Sequence, residues 1–343
     1  MPQFTPIIHL TAGMRKKCEL ADGSVPSCAI PIIKLSWETM RIIFLAALLC
    51  NGAGAASGAW LETLTPHFRI EHQRMWLQDG LIMGAEGVHS RLRFDLEAFT
   101  PWMATRRINF FLYRDLDSFI HGEFSPPPWS IGLAVYDRNA VVMPGMQTTK
   151  ETLRVFAHES THLLFVGYFH ERHRDPPSWI NEGLATNEEA PSADRPETSQ
   201  WYQDMVATAS KSWYPMARFF GITPTRDLDN DQAAVGLWYI QAYSVTHFLL
   251  RAHARRQFKD FCDDLRDGGS VESALKRVYH FHDVADFERA WRVWLADPVH
   301  RRRVAALRAD EIVQSDGIIR GARGWSRSFS SFGDFEPLTL PRK

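Results

Sequence analysis

Cysteine is scarce in this chain: 4 in 343 residues, at Cys18, Cys28, Cys50 and Cys262. The first three precede the cleavage point inferred below, so the mature chain keeps Cys262 alone and forms no internal disulfide. Any bound metal must then rely on histidine and carboxylate ligands. Charge of one sign is also lacking. Lys and Arg number 39 against 40 Asp and Glu, a formal net charge of -1, which excludes a global field drawing the chain to nucleic acid or an anionic membrane. The local basic runs at 255–259 and 300–303 read as solvated helix faces. Internal repeats are missing, and the one low-complexity patch is the Gly/Ala stretch after residue 50. No apolar run is long enough to span a bilayer as an ordinary helix. What is present is an ordinary globular composition, 45% hydrophobic, able to bury a full core.

The segment MRIIFLAALLCNGAGAASGAW, from Met40, has a positive residue, an apolar run from Ile42 to Cys50 and then small residues. That is the layout of a secretory signal peptide, with Ala56 or Ala59 as the last residue removed. Residues 1–39 read as an extension or a mis-called start, and 40–59 as the signal peptide. Export to the periplasm or the medium follows. Lipid anchoring through Cys50 is the weaker reading, because Leu49 stands where a lipobox wants a small residue.

Residues 60–308 form the expected catalytic domain, with 309–343 as a peripheral tail. Over 60–147 alternation and β-branched or aromatic enrichment predict strands at 67–72, 107–115 and 131–145, with a helix between the first two. At Thr148 the period changes. Thr148 and Glu151 make a capping box opening a helix to about Gly167. A second short helix, 179–189, takes Ser178 as its cap, and residues 200–308 read as mostly helical, with 231–258 helical throughout. The fold class is therefore α+β, and residues 148–190 hold the unusual polar groups at the junction of its halves.

Within RVFAHESTHLLF, His158 and His162 stand four apart on one helix face and can aim imidazoles at one point. A zinc ion fits that point, and Glu159 lies one residue round the helix, where a general base would flank a water. The bland alternative, two satisfied histidines on a core helix, must explain three polar groups among Val155, Phe156, Ala157, Leu163, Leu164 and Phe165, where burial is costly. A catalytic zinc needs a third protein ligand downstream. Gly167 and His170 approximate one extended motif, but its spacing fails, since Tyr168 occupies the histidine place. The other candidate is Glu182, in PSWINEGLA.

HESTH followed by WINEGLA resembles the gluzincin zinc metallopeptidases, closest to the exported bacterial peptidase MA-like families. The resemblance is specific over 148–190 and looser over 60–300. It implies a thermolysin-like fold with the site in the cleft between the halves, one catalytic Zn2+ on His158, His162 and Glu182, and Glu159 as base in peptide hydrolysis. It also implies that the strand over 131–145 holds extended substrate by strand addition. Two departures stand out: Thr186 replaces the Asp that orients a histidine in thermolysin-type enzymes, and no exopeptidase anchoring motif is present. For the oxyanion donor the expectation is Tyr243, in QAYSVTHFLL, with a core tyrosine as the equal alternative. Rival functions are a zinc-binding protein without activity and an amidase acting on cell-wall material. The expected partner is a peptide or protein, with no nucleic acid and no transmembrane helix in the mature chain.

Overall fold

The computed structural model describes residues 60–310, apart from 75, 128–129 and 229–230. The extension, the signal peptide and nearly all of the tail lie outside the described residues.

Period-two alternation builds a five-stranded sheet from β1 (Leu61–Leu64), β2 (Phe68–His72), β3 (Ile108–Tyr113), β4 (Leu133–Val135) and β5 (Ala140–Pro144), in the order β1-β2-β3-β5-β4. β2, β3 and β5 run parallel, and β1 and β4 pair antiparallel at the two ends. Parallel neighbours need crossovers. Helix α1 (Leu81–Leu96) lies between β2 and β3, and the short α2 (Leu116–Ile120) lies between β3 and β4. The register sets Phe110 opposite Ile70 on one side and Val141 on the other, and all three are fully buried in the main core. The opposite face carries a smaller cluster of Tyr113, Phe119, Ala140 and Val142.

The stretch 131–145, expected as one strand, is a hairpin. Residues 136–139 turn, with Asn139 at φ 47°, a left-handed conformation that asparagine tolerates. The Asn139 amide donates to the Arg107 carbonyl at 2.9 Å and pins the turn. β5 is consequently an inner strand, and of the two hairpin strands only β4 lies at an edge of the sheet.

Helix α3 (Thr149–His170) starts at the capping box: Thr148 Oγ1 accepts from the Glu151 amide at 3.2 Å, and Glu151 Oε2 accepts from the Thr148 amide at 3.2 Å. It passes Gly167 and ends three residues later than expected, at His170. Its Phe156 ring packs on Phe68 and Phe110 at centroid distances of 5.2 and 4.4 Å, which lays the helix against the sheet. α4 (Ser178–Glu188) follows. Its cap position belongs to Pro177, not Ser178, whose hydroxyl is already inside the first turn and makes no cap bond.

The second half is helical: α5 (Gln200–Ala207), α6 (Met216–Phe219), α7 (Pro224–Asp227), α8 (Gln232–Arg251), α9 (Arg255–Arg266), α10 (Val271–Tyr279) and α11 (Val284–Leu295). Asp231 caps α8 by accepting from the amides of Ala233 and Ala234. The span 231–258 breaks at 252–254 and is not one helix. The turn there lets Phe258, Phe261 and Leu265 of α9 enter the core. The fold is thus α+β, strands first and helices after, with α3 and α4 at the seam. No helix among the described residues is long and apolar enough to cross a membrane.

Candidate metal centre

α3 and α4 bring His158, His162 and Glu182 together. All three are buried, and one ligand atom from each lies within 4.8 Å of the others. The two Nε2 atoms are 3.0 Å apart, and Glu182 Oε2 stands 3.7 Å from His158 Nε2 and 3.6 Å from His162 Nε2. Among the described residues this is the one such group of three. His170, the competing ligand, sits at the end of α3, half-exposed and bound to Asp175 at 2.9 Å, outside the group.

The outer nitrogens decide what this group can hold. His158 Nδ1 meets Glu189 Oε1 at 2.8 Å, and His162 Nδ1 meets Asn181 Oδ1 at 3.0 Å. Both partners are acceptors, so both Nδ1 atoms carry the hydrogen and both Nε2 atoms present lone pairs. Two lone pairs and a carboxylate oxygen then face one another in a buried space, an arrangement that requires a cation. The donor set, two imidazoles and a carboxylate, suits zinc. A proton also answers the demand: burial opposes charge on His158, but the nearby carboxylates of Glu182 and Glu189 outweigh this and raise its pKa to about 10.

Asn181 and Glu189 were not singled out by sequence reading. Asn181 precedes Glu182 on the same short helix, and Glu189 follows it by seven residues, two helical turns on the same side. Thr186, at the place of the missing Asp, turns its hydroxyl back to the carbonyls of Glu182 and Gly183 at 2.8 and 3.0 Å. Glu189 also accepts from Arg154 Nη1 at 2.7 Å and Trp201 Nε1 at 2.9 Å. Burial pushes the Glu189 carboxyl up, yet the bonds and charges of His158 and Arg154 outweigh it and hold its pKa below the ordinary value. Glu182 is raised, by burial first, although His158 and a hydrogen bond from Tyr239 oppose the shift.

Glu159 is fully buried, and neither carboxylate oxygen has a hydrogen-bond partner among the described residues. Burial, with further repulsion from Glu182 and Glu189, raises its pKa to about 7 even though His158 favours the charged form. Gly132, just before the edge strand β4, passes directly over it. A Cβ there would meet Glu159 Cγ at 2.7 Å and Oε1 at 2.8 Å, so only glycine lets the strand entrance come this close.

Among the described residues no hydrogen bond joins Tyr243 to this group; its carbonyl accepts from Asn187 at 3.0 Å. Tyr243 is fully buried, its ring stacks on His247 at 5.4 Å, and burial first, then the charge of Tyr202, raises its pKa. One turn earlier on α8, Tyr239 is the tyrosine that hydrogen-bonds a member of this group, Glu182. Tyr239 and Tyr243 stand four apart, both on the buried side of α8, so period alone could not choose between the two.

Residues 94–297 match the family model described as the Peptidase MA superfamily, a span that opens inside α1, includes both site helices and closes just after α11. No curated protein matches the chain.

Proposed function

The chain belongs to the Peptidase MA superfamily, and from that premise we propose that it is a zinc-dependent peptidase of the gluzincin type, with His158, His162 and Glu182 holding the metal and Glu159 as general base. The observation that carries the reading is the convergence of two buried imidazole lone pairs and a carboxylate oxygen, with an unpartnered, buried carboxylate beside them. When bound, zinc supplies Lewis acidity toward water and the scissile carbonyl.

The chain's own residues account for the rest. Glu189 and Asn181 orient the two imidazoles. Glu159 takes the proton of the attacking water and delivers it to the leaving amine, a role open to a buried carboxylate that no other group of the described residues engages. Extended peptide joining the free side of β4 gains main-chain hydrogen bonds and crosses Gly132, which leads the strand past Glu159. A metal site kept only for structure has no use for an unpartnered base at its side, which opposes the inactive alternative.

The test is metal content. His158→Ala, His162→Ala and Glu182→Ala should each lose most bound zinc, measured by elemental analysis after dialysis at matched folded fraction. Full zinc occupancy in Glu182→Ala would remove it from the ligand set.

A further inference from the structure

Glu189 ends α4, just after Glu188, and its long side chain reaches back to His158 on α3. An aspartate at the place of Thr186 would sit inside the helix on a shorter stem. A glutamate at a helix end has more rotamer freedom to lose, so its direction depends on what it touches. Oε1 accepts from His158 Nδ1 at 2.8 Å. Oε2 accepts from Arg154 Nη1 at 2.7 Å and from Trp201 Nε1, on α5, at 2.9 Å.

Arg154 and His158 stand four apart on α3 and are neighbours on one helix face. The Glu189 carboxylate therefore spans one turn of α3, with one oxygen on the imidazole and the other on the guanidinium. The side chains of His158 and Glu189 are 2% and 5% exposed, whereas that of Arg154 is 45% exposed. Two routes lead from this guanidinium to a metal on His158 Nε2, and they differ in sign. Through space a cation repels a cation, weakly here because the exposed end is screened by water and salt. Through Glu189 the guanidinium fixes the acceptor that orients the ring, which strengthens metal binding.

Resting on the ligand set proposed above, we propose that Arg154 is a positioning residue of the metal centre, holding the Glu189 carboxylate where Oε1 accepts from His158 Nδ1 and so keeping His158 Nε2 aimed at the metal. The second route then outweighs the first. No proton moves in this role: the guanidinium and the imidazole Nδ1 keep theirs, and the carboxylate only accepts. Arg154 meets Glu189 through a single nitrogen, so the ammonium of a lysine can replace it, which a two-pronged contact would not allow.

The experiment measures zinc affinity by chelator competition on the wild-type chain, Arg154→Gln, Arg154→Lys, Glu189→Gln and the double variant Arg154→Gln/Glu189→Gln. Beside it, the His158 Nδ1–H resonance is followed in zinc-loaded chains carrying ¹⁵N-histidine. The expected result is affinity about 10-fold weaker in Arg154→Gln, within about threefold of wild type in Arg154→Lys, and no weaker in the double variant than in Glu189→Gln alone. The Nδ1–H of His158 should exchange with water faster in Arg154→Gln and regain its wild-type rate in Arg154→Lys. Equal or tighter zinc binding in Arg154→Gln, the sign that charge repulsion alone gives, overturns the role of Arg154 and leaves the ligand set standing. The role is also overturned by a loss that repeats in full on the Glu189→Gln background, or by an unaltered Nδ1–H exchange rate. Failure of both Arg154 variants to fold makes the side chain a structural group and overturns it too. A wild-type chain that binds no zinc overturns the ligand set itself, and this inference with it.

Discussion

At His158 the bond from Nδ1 to Glu189 sets both the tautomer and the plane of the ring. Glu189→Gln keeps an oxygen acceptor but loses the charge, and should weaken zinc affinity about 10- to 100-fold by chelator competition with the melting temperature little changed. An affinity equal to wild type would show that the bond orients nothing. The converging group of His158, His162 and Glu182 and the buried Glu159 beside it were legible in sequence because histidines at i and i+4 beside a glutamate are rare on an apolar face. Glu189 was not, because its task is assigned by motif to the residue at 186, and only the longer glutamate side chain, two turns beyond Glu182, makes up the difference. His247 offers a second residue-scale outcome. It is fully buried, with Nδ1 bonded to Asn187 Oδ1 at 2.7 Å. Burial first, then Arg251, His300 and Arg303, push its pKa down to about 3. The unfolded chain protonates this histidine near its ordinary 6.5, while the folded chain refuses the proton until about 3. Stability from this group is therefore full above 6.5 and falls as the pH drops, by about 1.4 kcal/mol per pH unit within that window. In His247→Gln the slope of unfolding free energy against pH between 6 and 4 should be shallower by about that amount. Equal slopes in urea titrations would contradict the buried neutral state.

Between elements, the contact that places Glu182 is that of α4 on α8. A Cβ at Gly183 would collide with Thr246 Oγ1 and the Ala242 carbonyl, so the two helices approach backbone to backbone next to Glu182, the proposed third ligand. Gly183→Ala must push α4 off α8. It should cost about 1 to 3 kcal/mol of stability and weaken zinc binding with it, read from urea denaturation and chelator competition. Gly167→Ala is the contrast: nothing lies within 4 Å of its Cβ position, and within the last turn of α3 it should stabilise by about 0.5 to 1 kcal/mol. Opposite signs at two helical glycines separate packing from propensity. Element type was readable wherever period was strong, as in β3 and α3. The 131–145 hairpin was not, since Tyr136–Asn139 contains neither glycine nor proline and apolar residues continue on both sides. The break at 252–254 was equally silent, because tertiary burial of Phe258 and Phe261, and not a local breaker, turns the chain there.

On the scale of the molecule, the sheet and the helical half each supply what the other lacks. The sheet offers the edge β4 and carries α3 on its apolar face. The helices hold α4, with the third ligand, against α8. Cys262 is buried and is the free cysteine among the described residues, so stability rests on the core. The export expectation concerns residues outside those described. It predicts a mature amino terminus after Ala56 or Ala59 when expression starts at Met40, and mass spectrometry finding a terminus upstream of Met40 would defeat it. The central claim is that the buried group at the seam is a hydrolytic zinc centre in which Glu159 moves the proton. Its most direct test is zinc content and casein-peptide turnover measured together on the wild type and on Glu159→Gln. The account predicts equal zinc in both and turnover in Glu159→Gln lower by several orders of magnitude. Equal turnover in the two, or an inactive wild type at full zinc occupancy, would contradict it.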